Sequence, residues 1–241
     1  MKKVSLYVLA GLMAGGVSAK VDSGFYAGVG VSMNNNKYKH NVVTTDNNLV
    51  LDAESFSNKF SKNTVMPEIF VGYLCVGKSF AWAPELHVGN DFGKRDSYNL
   101  ANDAVDLYQT TEVKKRLNLG LDMKLGRIVE DSAFVYGVLG LDLSRYKVSY
   151  RQDEVDAAGA VDSTRTFSPS AKFVPGLKVG AGADVYTNQN LFIGGEVNYT
   201  FRSKSIKSNN QAENLGMDQN VNNKLRPKNS LAVKVKIGWK F

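Results

Sequence analysis

The 241-residue sequence has one cysteine, two histidines and no stretch approaching 18 consecutive apolar residues outside its first 20 positions. A lone Cys75 cannot close an intramolecular disulfide, so the fold must hold without covalent staples. It also has no second thiol to resolve it, which argues against redox chemistry and for a small, partly buried residue in a short turn. His40 and His87 are far apart in sequence, and with one cysteine they make no recognisable metal set. Neither histidine has a serine and a carboxylate at a catalytic spacing, so the sequence points to no enzyme, no metal and no cofactor. The missing apolar run excludes a membrane-spanning helix in the body of the chain.

The N-terminus carries Lys2 and Lys3, then an apolar run over residues 6–17, then the small residues Ser18 and Ala19. That is the layout of a secretory signal peptide over residues 1–19, with cleavage expected after Ala19. Its core of about twelve residues is too short to span a bilayer, which takes roughly 20. No lipobox-like cysteine follows, which argues against a lipoprotein. The formal net charge of +7 falls by the two leader lysines.

Over residues 20–241 the sequence alternates apolar and polar side chains eight times, each reading as a strand with one apolar face. The clearest case sets Leu117, Leu119, Leu121, Met123 and Leu125 against Arg116, Asn118, Gly120, Asp122 and Lys124; a helix would scatter those charges around every side. The first sets Phe25, Ala27, Val29, Val31 and Met33 against Tyr26, Gly28, Gly30 and Ser32. The last sets Leu231, Val233, Val235, Ile237, Trp239 and Phe241 against Ser230, Ala232, Lys234, Lys236, Gly238 and Lys240. Connections after the second, fourth and sixth segments are short, at 75–79, 126–132 and 187–190. Those after the first, third, fifth and seventh are long and polar, at about 35–63, 90–111, 147–171 and 202–228. Short turns on one rim and long loops on the other predict an all-β fold, an eight-stranded antiparallel up-and-down transmembrane barrel with its long loops outside the cell.

A soluble barrel carrying a ligand also alternates, so the phase needs its own argument. The polar face is rich in glycine, which suits a narrow, crowded interior and weakens a strand facing water. The apolar face is bulky and continuous, and no other part of the chain could cover it, whereas lipid can. Aromatic residues such as Phe25, Tyr73, Phe80, Trp82, Tyr199 and Trp239 gather toward strand ends, as in an interfacial girdle. The apolar face is therefore expected to meet lipid.

The leader, Gly24-Phe25-Tyr26-Ala27-Gly28, Ala83-Pro84-Glu85-Leu86-His87 and the terminal Ile237-Gly238-Trp239-Lys240-Phe241 resemble the OmpA-type and opacity-protein group of small outer-membrane barrels of Gram-negative bacteria. The resemblance covers the whole mature chain. It implies that Trp239 and Phe241 belong to a C-terminal signal read by the barrel-assembly machinery. It implies an acid–base latch in the lumen with Glu85 as the acid and Arg116 or Lys178 as candidate bases. Some relatives carry a periplasmic peptidoglycan-binding domain after the barrel; none is expected here.

By the chosen phase the lumen collects Glu68, Glu85, Asp122, Asp142, Asp184 and Glu196 with Arg116, Lys124, Lys178, Lys234 and Lys236. Eight strands leave a lumen that side chains fill, so these groups are expected to pair and block a water path, Glu196 with Lys236 among them. The fourth long loop has a basic excess in Arg202, Lys204, Lys207, Lys224, Arg226 and Lys228, a candidate contact for a polyanion. Expected partners are outer-membrane lipid and lipopolysaccharide, the assembly machinery and host surface molecules; nucleic acid is not expected. The leading expectation is a surface protein that anchors in the envelope and presents its loops for adhesion or immune contact. A small pore for ions or hydrophobic solutes and a lipid-modifying enzyme are the alternatives.

Overall fold

A computed structural model describes residues 21–46, 54–92, 96–102, 107–155, 161–187, 190–214 and 217–241. The leader expected over residues 1–19 lies outside them. Ten strands occur: β1 (Gly24–Asp46), β2 (Glu54–Val76), β3 (Ala81–Asn90), β4 (Asp96–Asn102), β5 (Leu107–Val129), β6 (Ala133–Val155), β7 (Val161–Tyr186), β8 (Leu191–Arg202), β9 (Ile206–Asn214) and β10 (Met217–Lys240). They make eight staves, because β3 and β4 both pair with β5, and β8 and β9 both pair with β10. Every pairing is antiparallel, and β10 returns to β1 from Tyr26↔Lys240 to Asp46↔Gln219, so the sheet closes on itself, while β4 and β9 above it each pair on one side only.

The alternation decides which face points where. Leu121 is 50% exposed on the outside, while Asp122 and Lys124 beside it are 1% exposed within. Val31, Ile69, Leu141, Leu177 and Val235 stand outward in the same way, a band that hydrocarbon covers. The interior is tight enough that certain positions admit no side chain. A Cβ on Gly28 would lie 2.3 Å from the Ile237 carbonyl oxygen, and one on Gly120 would lie 2.0 Å from the His87 ring.

Two expectations change at the ends of the barrel. The segments read as long loops are largely strand: β1 and β2 stay in register without a break from Gly24↔Leu74 to Thr44↔Glu54. Their polar, asparagine-rich composition suggested turns, but pairing to a strand already held in a closed sheet overrides weak local preference. At the other rim, Cys75 lies in β2 opposite Trp82 and not in the turn, because pairing runs on to Val76↔Ala81. That leaves turns of a few residues at 77–80 and 130–132.

Apolar side chains fill the lumen at two levels. At the short-turn end Tyr26, Phe70, Leu74, Phe134, Tyr136, Tyr186 and Phe192 pack together. Toward the long hairpins Tyr38, Val113, Tyr146, Val148, Val174, Ile206 and Leu225 form a second cluster. Most of the buried charges lie in register between these two clusters.

Candidate functional site

Inward positions of consecutive staves lie at similar heights, so charges far apart in sequence meet across the lumen. Lys124 of β5 sits at its lower level, ion-paired with Glu85 of β3 and 3.5 Å from Glu196 of β8. Two lysines of β10 complete the group. Lys234 lies 2.8 Å from Glu68 and 3.6 Å from both Glu85 and Glu196. Lys236 lies 2.8 Å from Asp184, 3.5 Å from Glu196 and 3.9 Å from Glu85. Tyr26 donates its hydroxyl to Glu85 at 3.1 Å, and Tyr136 donates to Asp184 at 2.9 Å. The Lys124 and Lys236 ammonium groups each lie 5.2 Å from the Tyr136 ring centre, so the apolar plug also offers its aromatic faces to cations.

A second level lies closer to the hairpins. Asp122 pairs with Lys178 and lies 3.2 Å from Nδ1 of His87. Asp142 pairs with Arg202, accepts from Ser144 at 2.8 Å and also bonds Asn118; Arg202 donates onward to Ser230 at 2.7 Å. A cavity of about 30 Å3 remains among Ser32, Asp142, Lys178, Asn198 and their neighbours. That is room for roughly two waters.

Two residues stand elsewhere than the alternation placed them. Arg116 is exposed on the outer surface, and Lys115 is buried in its stead. The cause is a bulge in β5: Lys115 pairs with Tyr146 and Asn118 with Ser144, so two residues face one and the phase slips. Arg202, read as a loop base, is buried at 5% exposure against Asp142, because the β8 strand persists to that residue. Glu85, expected as a latch acid, has Lys124 as its nearest ion-pair partner; Arg116 points outside and Lys178 is held by Asp122. Glu85 and Lys124 sit on adjacent strands two residues out of direct register, where Glu85 opposes Asp122 and Ala83 opposes Lys124. The alternation did place Tyr26 and Tyr136 inside, but a charge list passed over their hydroxyls.

With Asp91 and Lys240 added, the described lumen buries seven acids, Glu68, Glu85, Asp91, Asp122, Asp142, Asp184 and Glu196, against seven bases, Lys115, Lys124, Lys178, Arg202, Lys234, Lys236 and Lys240. Glu85, His87 and Asp122 bring one ligand atom each within 4.8 Å, yet Lys124 and Lys178 already neutralise the two carboxylates, so the donor set suits cations on side chains better than a metal. His40, expected in a loop, is buried in β1. Lys204, Lys207, Lys224 and Arg226 are exposed on the hairpin side and Lys228 is half-buried.

A closed barrel with a lipid-covered exterior and an ion-paired interior defines an integral outer-membrane β-barrel protein. The outer membrane protein beta-barrel domain family matches residues 5–241, and the chain belongs to that family and to the outer membrane. Among solved structures it is similar to neisserial surface protein A, at 14% identity and a TM-score of 0.45, over 91% of this chain and 99% of that one. It is also similar to OprG of Pseudomonas aeruginosa, at 12% identity and a TM-score of 0.44, over 93% and 98%. A third is Ail, the attachment invasion locus protein of Yersinia pestis, in complex with the heparin analogue sucrose octasulfate, at 10% identity and a TM-score of 0.39, over 90% and 99%. No curated protein matches the chain.

Proposed function

We propose that this barrel is a closed anchor in the outer membrane whose long hairpins rise from the cell surface and make contacts there, in adhesion or immune recognition. The observation that carries the reading is the division of labour along the lumen: two apolar plugs enclose paired charges, while the staves run on far past the band that lipid covers. A transmembrane strand needs only about 9–11 residues, whereas β1, β2, β5 and β6 each have 23. The surplus lies on the long-hairpin side, the side that faces out of the cell in barrels of this type. In this reading residues 1–19 are removed after export, and Trp239 with Phe241 serves the assembly machinery.

Planar-bilayer recording of the folded chain tests the anchor. No steady conductance is expected, and conductance comparable to that of a large porin would defeat the plugged lumen and favour the channel. Loop-shortened variants joining β1 to β2 and β6 to β7 just above the lipid band test the contact role. Binding to host cells or matrix is expected to fall while folding, read as heat-modifiable gel migration, persists. A lipid-modifying enzyme would instead alter the mass of outer-membrane lipid in cells expressing the chain.

A further inference from the structure

Just above the apolar band the wall of the barrel carries a groove of about 440 Å3, lined by Lys37 and Tyr38 of β1, Lys59, Phe60 and Ser61 of β2, Tyr199 of β8, and Lys228 and Asn229 of β10. A bulge opens it. Asn36 pairs with Ser230 and Tyr38 with Pro227, so Lys37 alone faces Lys228 and Asn229. Pro227 has no N–H to extend the ladder, which suits it to such an irregularity. The bulge turns both Lys228 and Asn229 toward the outer face beside Lys37, and Asn229 donates to the Tyr199 hydroxyl at 3.0 Å, tying the groove to β8. Tyr38 and Phe60 stack at 5.0 Å behind it.

Three lysines from three adjacent staves thus converge on one groove, and among the described residues neither Asp nor Glu lines it. Among the described residues no ion pair holds any of the three, whereas Lys124, Lys178, Lys234 and Lys236 of the lumen are each paired with a carboxylate. Height narrows the choice of occupant. Among the residues whose burial is described, the exposed apolar residue nearest the hairpins is Met33 on β1, Val65 on β2 and Leu231 on β10. Lys37 follows Met33 by four residues, Lys59 precedes Val65 by six and Lys228 precedes Leu231 by three. At about 3.4 Å per residue on a tilted strand, and with the reach of a lysine, the ammonium groups come to the headgroup layer that borders the hydrocarbon. A ligand in the groove would lie beside Tyr199 and Phe201, 4.8 Å apart edge to face, with apolar wall below.

We infer that this groove holds a phosphate of an outer-leaflet lipopolysaccharide headgroup, the lipid's acyl chains lying against Met33, Val65 and Leu231. The inference rests on the reading that the long hairpins face out of the cell. Three cations match a phosphate dianion, and the apolar wall gives an amphiphile an advantage over a soluble anion. A general basic surface would bind anions without regard to position; here a bulge and an Asn–Tyr hydrogen bond shape one location.

The test is binding of purified lipid A by the full-length folded chain in micelles, read by native mass spectrometry, with dephosphorylated lipid A and inorganic phosphate as comparison probes. The triple variant Lys37→Gln/Lys59→Gln/Lys228→Gln is set against Lys204→Gln/Lys207→Gln/Lys224→Gln, which removes the same charge elsewhere. At roughly fivefold per lysine near an anionic headgroup, the groove variant is expected to lose about a hundredfold in affinity while the control stays within about threefold. Wild type is expected to bind dephosphorylated lipid A as weakly as the groove variant binds lipid A. Equal losses in both triples, equal binding of the two lipids, or inorganic phosphate held as tightly as lipid A would each overturn the inference. If the groove triple shows no heat-modifiable shift, Lys228→Gln alone is expected to lose about fivefold, and an unchanged affinity overturns the proposal. Because no cell enters this measurement, it can fail while hairpin-dependent cell binding stands, and the reverse.

Discussion

Met33 and Lys37 point outward from the same uninterrupted strand, four residues apart, and inhabit different solvents. Below Met33 the wall presents Phe25, Val29 and Val31 to hydrocarbon and hides lysines within; above Lys37 it presents bases outward and buries Tyr38. The backbone ladder continues through the change, since β1 and β2 keep one register across both halves. Strand geometry is indifferent to the medium. Side chains are not, and in the lower half an inward charge is tolerable only because its partner is inward too.

The contrast breaks most severely at the buried ion pairs. Lys124→Met removes the direct ion-pair partner of Glu85, leaving it only the more distant Lys234 and Lys236 that it shares with Glu196, and is expected to cost about 3–5 kcal/mol, measured as the shift in urea midpoint of the folded barrel in detergent or lipid. Leu121→Lys puts a charge in the lipid-facing band. It is expected to cost about 2–4 kcal/mol near the bilayer midplane, and the loss should shrink in micelles that let water approach. Gly28→Ala drives a Cβ toward the Ile237 carbonyl and the Phe70 ring. An overpacking cost of about 1–3 kcal/mol is expected, with a weakened heat-modifiable shift as the gel readout. At the small end, Lys224→Ser in the upper half should leave the urea midpoint unchanged, because that side chain is exposed beyond the membrane band. A midpoint shift at Lys224 as large as that at Lys124 would erase the distinction between the halves.

The site was legible to the extent that the two-residue period held. Glu68, Asp122, Lys124, Lys178, Lys234 and Lys236 are inward because each lies an even number of residues from its inward neighbours on an unbroken stretch. Arg116 failed at the one place on β5 where an extra residue enters the strand, and a bulge leaves no mark that a run of alternating residues displays. Arg202 failed because strand length above the membrane was judged from polarity, while its length was set by pairing to β7 and β10. The partner of Glu85 was open for a third reason: across a tilted barrel, which base comes near which acid depends on the stagger of neighbouring strands, and composition is silent about stagger.

By itself the sequence determined that a closed barrel forms and that its apolar face looks out, because a period of two fixes faces and only closure satisfies a backbone in hydrocarbon. Tertiary structure alone decided which charges meet, where two bulges turn Lys115 inward and Lys228 toward a groove, and how far the staves outrun the membrane. Those outcomes depend on register between strands, and register is a relation among segments that no single segment encodes.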